Sequence, residues 1–143
     1  MIRLRVNGIP APQGSKRHVG GGRMVEMSKA VGPWREAIRA ECQREAKMLA
    51  GPVDIGATFI LPRPQSHYGT GRNRSQVRPS APRWPATRPD LDKLTRALLD
   101  GLTAGGAFAD DSQVAIMWVR KIYASNGEAP GVEVFINEIG EGP

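Results

Sequence analysis

Apolar and polar residues alternate from the start of the chain, with Ile2, Leu4 and Val6 set against Arg3, Arg5 and Asn7. This period of two marks a half-buried strand. Gly8 to Gly22, with Pro10-Ala11-Pro12-Gln13-Gly14-Ser15-Lys16-Arg17, reads as a loop, because proline removes donors and glycine relaxes the backbone. Ser28 or Gly32 can cap a helix that carries Pro33 near its first turn. Trp34, Ile38, Cys42 and Leu49, with Ala37 and Ala46, share one face of that helix, and Gly51-Pro52 ends it. Val53, Ile55, Ala57, Phe59 and Leu61 predict a second strand. Leu91, Leu94, Leu98 and Leu102, spaced by three and four, predict a helix from about Asp90 to Ala104, closed by Gly105-Gly106. Val114, Ile116 and Trp118 alternate in one more strand, and Val132, Val134 and Ile136 in another. Between these two, Ala124 to Gly131 contains Asn126-Gly127, which suits a hairpin.

The order β-α-β-loop-α-β-β predicts a single α+β domain over residues 1–143, a mixed sheet covered by two main helices. No internal repeat or domain boundary interrupts it. One segment does not fit a compact connection. Pro62 to Pro89 holds six prolines, two glycines and little periodicity, a length that marks a functional or mobile loop. The apolar runs are too short to span a bilayer and the opening residues lack a signal peptide's apolar stretch, so a cytoplasmic protein without membrane attachment is expected. A lone cysteine, Cys42, agrees with a reduced compartment and reads as packing rather than as a nucleophile.

Charge sharpens this picture. The net charge of +6 divides into +5 for residues 1–61, +6 for 62–89 and −5 for 90–143. The middle stretch holds six arginines and no acid. A basic half beside an acidic one fits a polyanion such as nucleic acid.

Four aspartates, Asp90, Asp92, Asp110 and Asp111, gather around the second helix. Residues two apart in a helix point about 200° from one another, so Asp90 and Asp92 converge only if Asp90 stays outside it. The plain reading makes Asp90 a cap, Asp92 a favourable charge at the helix start and Asp110-Asp111 a solvated turn. The other reading makes them hard oxygen ligands for magnesium beside an arginine-rich loop. Arg96, four residues beyond Asp92, is either its ion-pair partner or a phosphate ligand.

The stretch Arg88-Pro89-Asp90-Leu91-Asp92-Lys93-Leu94-Thr95-Arg96-Ala97-Leu98-Leu99-Asp100-Gly101-Leu102-Thr103, followed by Asp110-Asp111-Ser112-Gln113-Val114, resembles the central motifs of RusA-type Holliday junction resolvases. Pro10, Pro12, Lys16 and Ser28 are similar in kind to the family's opening. The resemblance implies an α+β homodimer that binds four-way junctions and makes paired nicks with magnesium, or with manganese in its place. It puts the catalytic and metal-binding carboxylates at Asp90, Asp92 and Asp111, with Asp110 as an adjacent metal candidate and Asp100 in a structural role. Two departures stand out: Lys93 where the family often has asparagine, and Arg96 where it has an important lysine. Arginine stays protonated, so Arg96 is expected to act electrostatically, with Lys93 as the other candidate for that role.

DNA contacts are expected from Lys16, Arg17, Arg72, Arg74, Arg78, Arg83, Arg88 and Lys93, with His67, Tyr68 and Trp84 available to stack on unpaired bases. The long loop is expected either to order over the junction or to be a solvated tether. His18 and His67 lack partners at zinc-ligand spacing. Trp34 and Trp118 read as core or dimer contacts. Two other functions share the scaffold: a branched-DNA-binding protein without catalysis, and a nuclease acting on forks or flaps.

Overall fold

Four strands form one mixed sheet in the order β1-β6-β4-β5: β1 is Ile2–Asn7, β4 Val53–Leu61, β5 Val114–Tyr123 and β6 Gly131–Glu138. A computed structural model describes residues 1–14, 16–19, 23–26, 29–45 and 47–140. Two short strands, β2 (Lys16–Val19) and β3 (Arg23–Glu26), pair as a separate antiparallel ribbon. The ribbon corrects the expectation of a plain loop from Gly8 to Gly22. Its cross-strand hydrogen bonds replace the sidedness that the glycine-rich sequence lacks.

Helices α1 (Val31–Glu45) and α2 (Leu91–Ala104) cover one face of the sheet. Alternation decides which side chains they meet: Leu4 and Val6, Ile55, Ala57 and Phe59, and Val134 and Ile136 point inward and are buried. Val31, Trp34, Ile38 and Cys42 answer from α1, and Leu94, Ala97, Leu98 and Leu102 from α2. Burial pushes the Cys42 thiol up, in keeping with a packing role. No helix among the described residues is long and apolar enough to cross a membrane.

Three local expectations need correction. Helix α1 ends at Glu45, so Leu49 does not extend its apolar face. Instead it pairs with Phe108 in an isolated bridge, its N–H donating to Ala107 O at 2.8 Å. Gly32 lies inside α1 rather than capping it; Ser28 and Ala46 lie outside the described residues. Nor do β5 and β6 form a hairpin. Strand β4 lies between them, parallel to β5 and antiparallel to β6. The Asn126-Gly127 turn is present, closed by the Glu128 N–H on Ser125 O at 2.9 Å, but the connection steps across β4.

The second face of the sheet is not covered by helices. A row running Arg3, Phe135, Gly56 and Trp118 crosses all four strands, and Arg5, Glu133, Thr58 and Arg120 form the next. Trp118 is 55% exposed and Ile116 52%, so Trp118 is not a core residue; the buried side of β5 is that of Met117 and Val119.

The helices approach closely at Gly101. A Cβ there would lie 2.7 Å from Ile38 Cγ2, 2.8 Å from Ile38 Cβ and 3.2 Å from Arg35 O. Alanine adds about 1 kcal/mol of helix propensity, whereas overpacking costs about 1–3 kcal/mol. A branched Cβ and a carbonyl cannot rotate away, so overpacking wins. Gly101→Ala is expected to lower the thermal midpoint; an unchanged midpoint would mean that the helices part freely.

Candidate active site

Helix α2 begins where a proline-rich segment meets four leucines at helical spacing, and that junction sets its first carboxylates. Asp90 is the N-cap, with extended backbone (φ −71°, ψ 138°), and its side chain makes no capping hydrogen bond. An N-cap aspartate ordinarily spends its oxygen on the first free N–H groups. Here the oxygen is left for something else. The ion-pair partner of Asp90 among the described residues is Lys93, whose Nζ lies 3.7 Å from Asp90 Oδ2. Both are exposed enough for water to screen the pair.

Asp92 occupies the first turn and is exposed. Extended backbone at Asp90 removes the helical 200° offset that would turn the two carboxylates apart. Arg96 is exposed on the same helix and makes no ion pair with Asp92 among the described residues. Of the two cations singled out from the sequence, Lys93 therefore stands against a site carboxylate and Arg96 is left open to solvent. Asp100, farther along, lies 3.7 Å from Arg35 Nη1 and ties α2 to α1.

The second aspartate pair divides its labour. Asp110 caps the short turn Asp111–Gln113: its Oδ2 accepts from the Ser112 N–H at 2.9 Å, and Gln113 Oε1 accepts from the Asp110 N–H at 3.2 Å. Hydrogen bonding by Ser112 holds Asp110 below the usual carboxylate range. Gln113 also donates to Leu49 O and Gly51 O, at 3.1 and 2.9 Å, which fixes the turn against the start of β4. Asp110 is thus committed to the backbone, while the Asp111 side chain is exposed and makes no hydrogen bond or ion pair among the described residues.

The structure does not bring Asp111 to Asp90 and Asp92 within one chain. Asp111 opens the turn that precedes β5, whereas the residues leading into Asp90 are held near the other end of that strand by Lys121. From Val114 to Lys121 the strand runs about 23 Å at ~3.3 Å per residue. Among the described residues no three His, Cys, Asp or Glu side chains group closely enough to hold a metal ion.

Lys121 is the residue that sequence reasoning missed. Its Nζ donates to Thr87 O at 2.6 Å and to Pro89 O at 2.8 Å, gripping the backbone on both sides of Arg88, one peptide short of Asp90. Charge-assisted bonds of this kind are the stronger ones. No local pattern could reveal it, because the partners lie more than thirty residues away. Lys121→Met keeps the apolar stem and removes the grip; it is expected to speed proteolysis within residues 82–89, read by limited digestion, with Lys121→Arg restoring part of the protection.

The long loop from 62 to 89 is held in place turn by turn. Arg63 stacks over Tyr123, 4.4 Å from the ring centroid, and donates to Pro82 O at 2.9 Å. His67 meets the same tyrosine edge-on at 5.3 Å. Tyr68 bridges to Val77, and Arg78 donates through Nε to Tyr68 O at 2.6 Å. Arg78 therefore has a structural contact, whereas Arg72, Arg74, Arg83 and Arg88 are exposed and their side chains make no hydrogen bond or ion pair among the described residues. Lys16 and Arg17 fall on strand β2.

A family model described as endodeoxyribonuclease RusA matches residues 6–137. No curated protein matches the chain.

Proposed function

Because the chain belongs to the RusA family of Holliday junction-resolving endodeoxyribonucleases, we propose that it cuts four-way DNA junctions as a homodimer whose two active sites each draw on both copies. The observation that carries this reading is the division of the acids. Asp92, and Asp90 apart from its exposed ion pair with Lys93, stand open at the start of α2, and the Asp111 side chain stands open at the opposite end of β5. A twofold axis running beside the middle of β5, perpendicular to the strand, lays the start of β5 in one copy against its end in the other. It sets Asp111 of one copy towards Asp90 and Asp92 of the other. The uncovered face with Ile116, Trp118 and Phe135 supplies the apolar surface for that contact, and Arg3, Arg5, Glu133 and Arg120 supply charges of both signs.

Asp90, Asp92 and Asp111 form a hard, all-oxygen donor set that fits magnesium, with manganese as a substitute. When bound, such a cation neutralises phosphate charge and makes an attacking water more acidic. The chain's own residues do the rest. Lys121 fixes the peptide before Asp90, so that the cap carboxylate keeps its direction. Lys93 offsets the charge of Asp90 and sits where a phosphate would approach. Arg96, always protonated, holds phosphate oxygens and stabilises the charge that develops on them, without passing a proton. Arg72, Arg74, Arg83 and Arg88 hold the arms of the junction by phosphate contacts.

The test is cleavage of a synthetic four-way junction in magnesium. Paired symmetric nicks support the reading. Tight binding without cutting, in magnesium or manganese, would favour a non-catalytic binder, and faster cutting of forks or flaps would move the substrate class.

A further inference from the structure

The segment from Pro82 to Pro89 is pinned at both ends and in the middle. Arg63 holds Pro82 O at 2.9 Å, Lys121 holds Thr87 O and Pro89 O at 2.6 and 2.8 Å, and Pro85 is buried between them. The two pinning cations lie near the ends of neighbouring strands: Arg63 follows β4, and Lys121 lies near the end of the edge strand β5. One aromatic side chain on this strap faces solvent: Trp84, 51% exposed. On either side of it are Arg83 and Arg88, exposed and without hydrogen-bond or ion-pair partners among the described residues.

An indole left in water next to buried Pro85 forgoes burial that a small rearrangement would gain. A flexible loop would fold it inward; a pinned strap cannot. The strap also runs straight into Asp90. Five residues separate Trp84 from Asp90, at most about 20 Å of extended chain, the reach of a few nucleotides.

We infer that Trp84 is a stacking platform for a nucleobase left unpaired at the branch point, with Arg83 and Arg88 holding the phosphates beside it. The inference rests on the branched-DNA reading and adds the part of the substrate that this residue takes. Every base presents a π-face, so such a platform is tolerant of sequence. Because the strap is already fixed, little ordering entropy is lost when the base docks.

The experiment uses the full-length protein carrying Asp92→Asn, so that the DNA stays whole, with and without Trp84→Ala or Trp84→Phe. The probes are a four-way junction with 2-aminopurine at the branch point and a fully paired duplex of the same length. Trp84→Ala is expected to weaken junction binding about tenfold, within the range for one stacked base. It should reduce quenching of the 2-aminopurine and leave duplex affinity and the salt slope unchanged, since no charge is removed. Trp84→Phe should recover most of both losses. Equal junction affinity in Trp84→Ala, or an equal loss on duplex, would overturn the platform while junction preference itself persists. Absence of any junction preference with Trp84 intact would overturn the branched-DNA reading, and the platform with it.

Discussion

Asp92→Asn is expected to lower junction cleavage by a factor of about 10³ or more, equivalent to about 4 kcal/mol in the barrier, while binding persists. The substitution keeps the size of the side chain and removes its charge. Its cost to folding is small, because Asp92 is exposed and a first-turn carboxylate contributes only about 0.3–1 kcal/mol through the helix dipole. Binding should hold or tighten, since one negative charge facing phosphate is gone. Single-turnover cleavage beside a gel-shift titration separates the two effects. Cleavage above a tenth of the wild-type rate would show that Asp92 is a helix-start charge and nothing more. The plain reading of that residue would then stand.

The second large effect concerns copies of the chain in combination. Asp92→Asn and Asp111→Asn should each be inactive as pure dimers. Mixed and allowed to exchange, they should regain cutting. If each site joins Asp90 and Asp92 of one copy to Asp111 of another, a mixed dimer has one site with both defects and one with none. That dimer nicks one strand and leaves its partner strand whole. Random exchange places about half the dimers in the mixed class, so nicking should reach about a quarter of the wild-type number of cuts. If all three carboxylates acted within one chain, every site in the mixture would be defective and no cutting would return. Light scattering on the same samples checks that the copies associate; a monomer at micromolar concentration, with and without junction DNA, would remove the premise.

Much of this protein is legible in local pattern. Alternation in β1, β4 and β6 and the leucine spacing of α2 specify those elements because each buries one side, and a single-residue slip would turn the buried set outward. The aspartates and the acid-free arginine loop are equally visible, since charge needs no fold to be counted. The α1 face misled at Leu49 because apolar spacing persists past the point where the chain stops making helical bonds. In strand β5 the alternation is present but the larger apolar residues lie on the outer side, so of core and dimer contact only the second is left for Trp118.

Local chemistry by itself determined the main strands and helices, the basic and acidic halves and the positions of the aspartates, because those depend on residues close together in the chain. Tertiary structure alone decided which carboxylates are free. It spends Asp110 on a backbone turn, leaves the Asp90 oxygen unspent, inserts β4 between β5 and β6, and brings Lys121 to the peptide before Asp90 from 32 residues away. These are pairings between distant segments, fixed only when the sheet closes and each buried or charged group must find a partner that the local sequence does not contain.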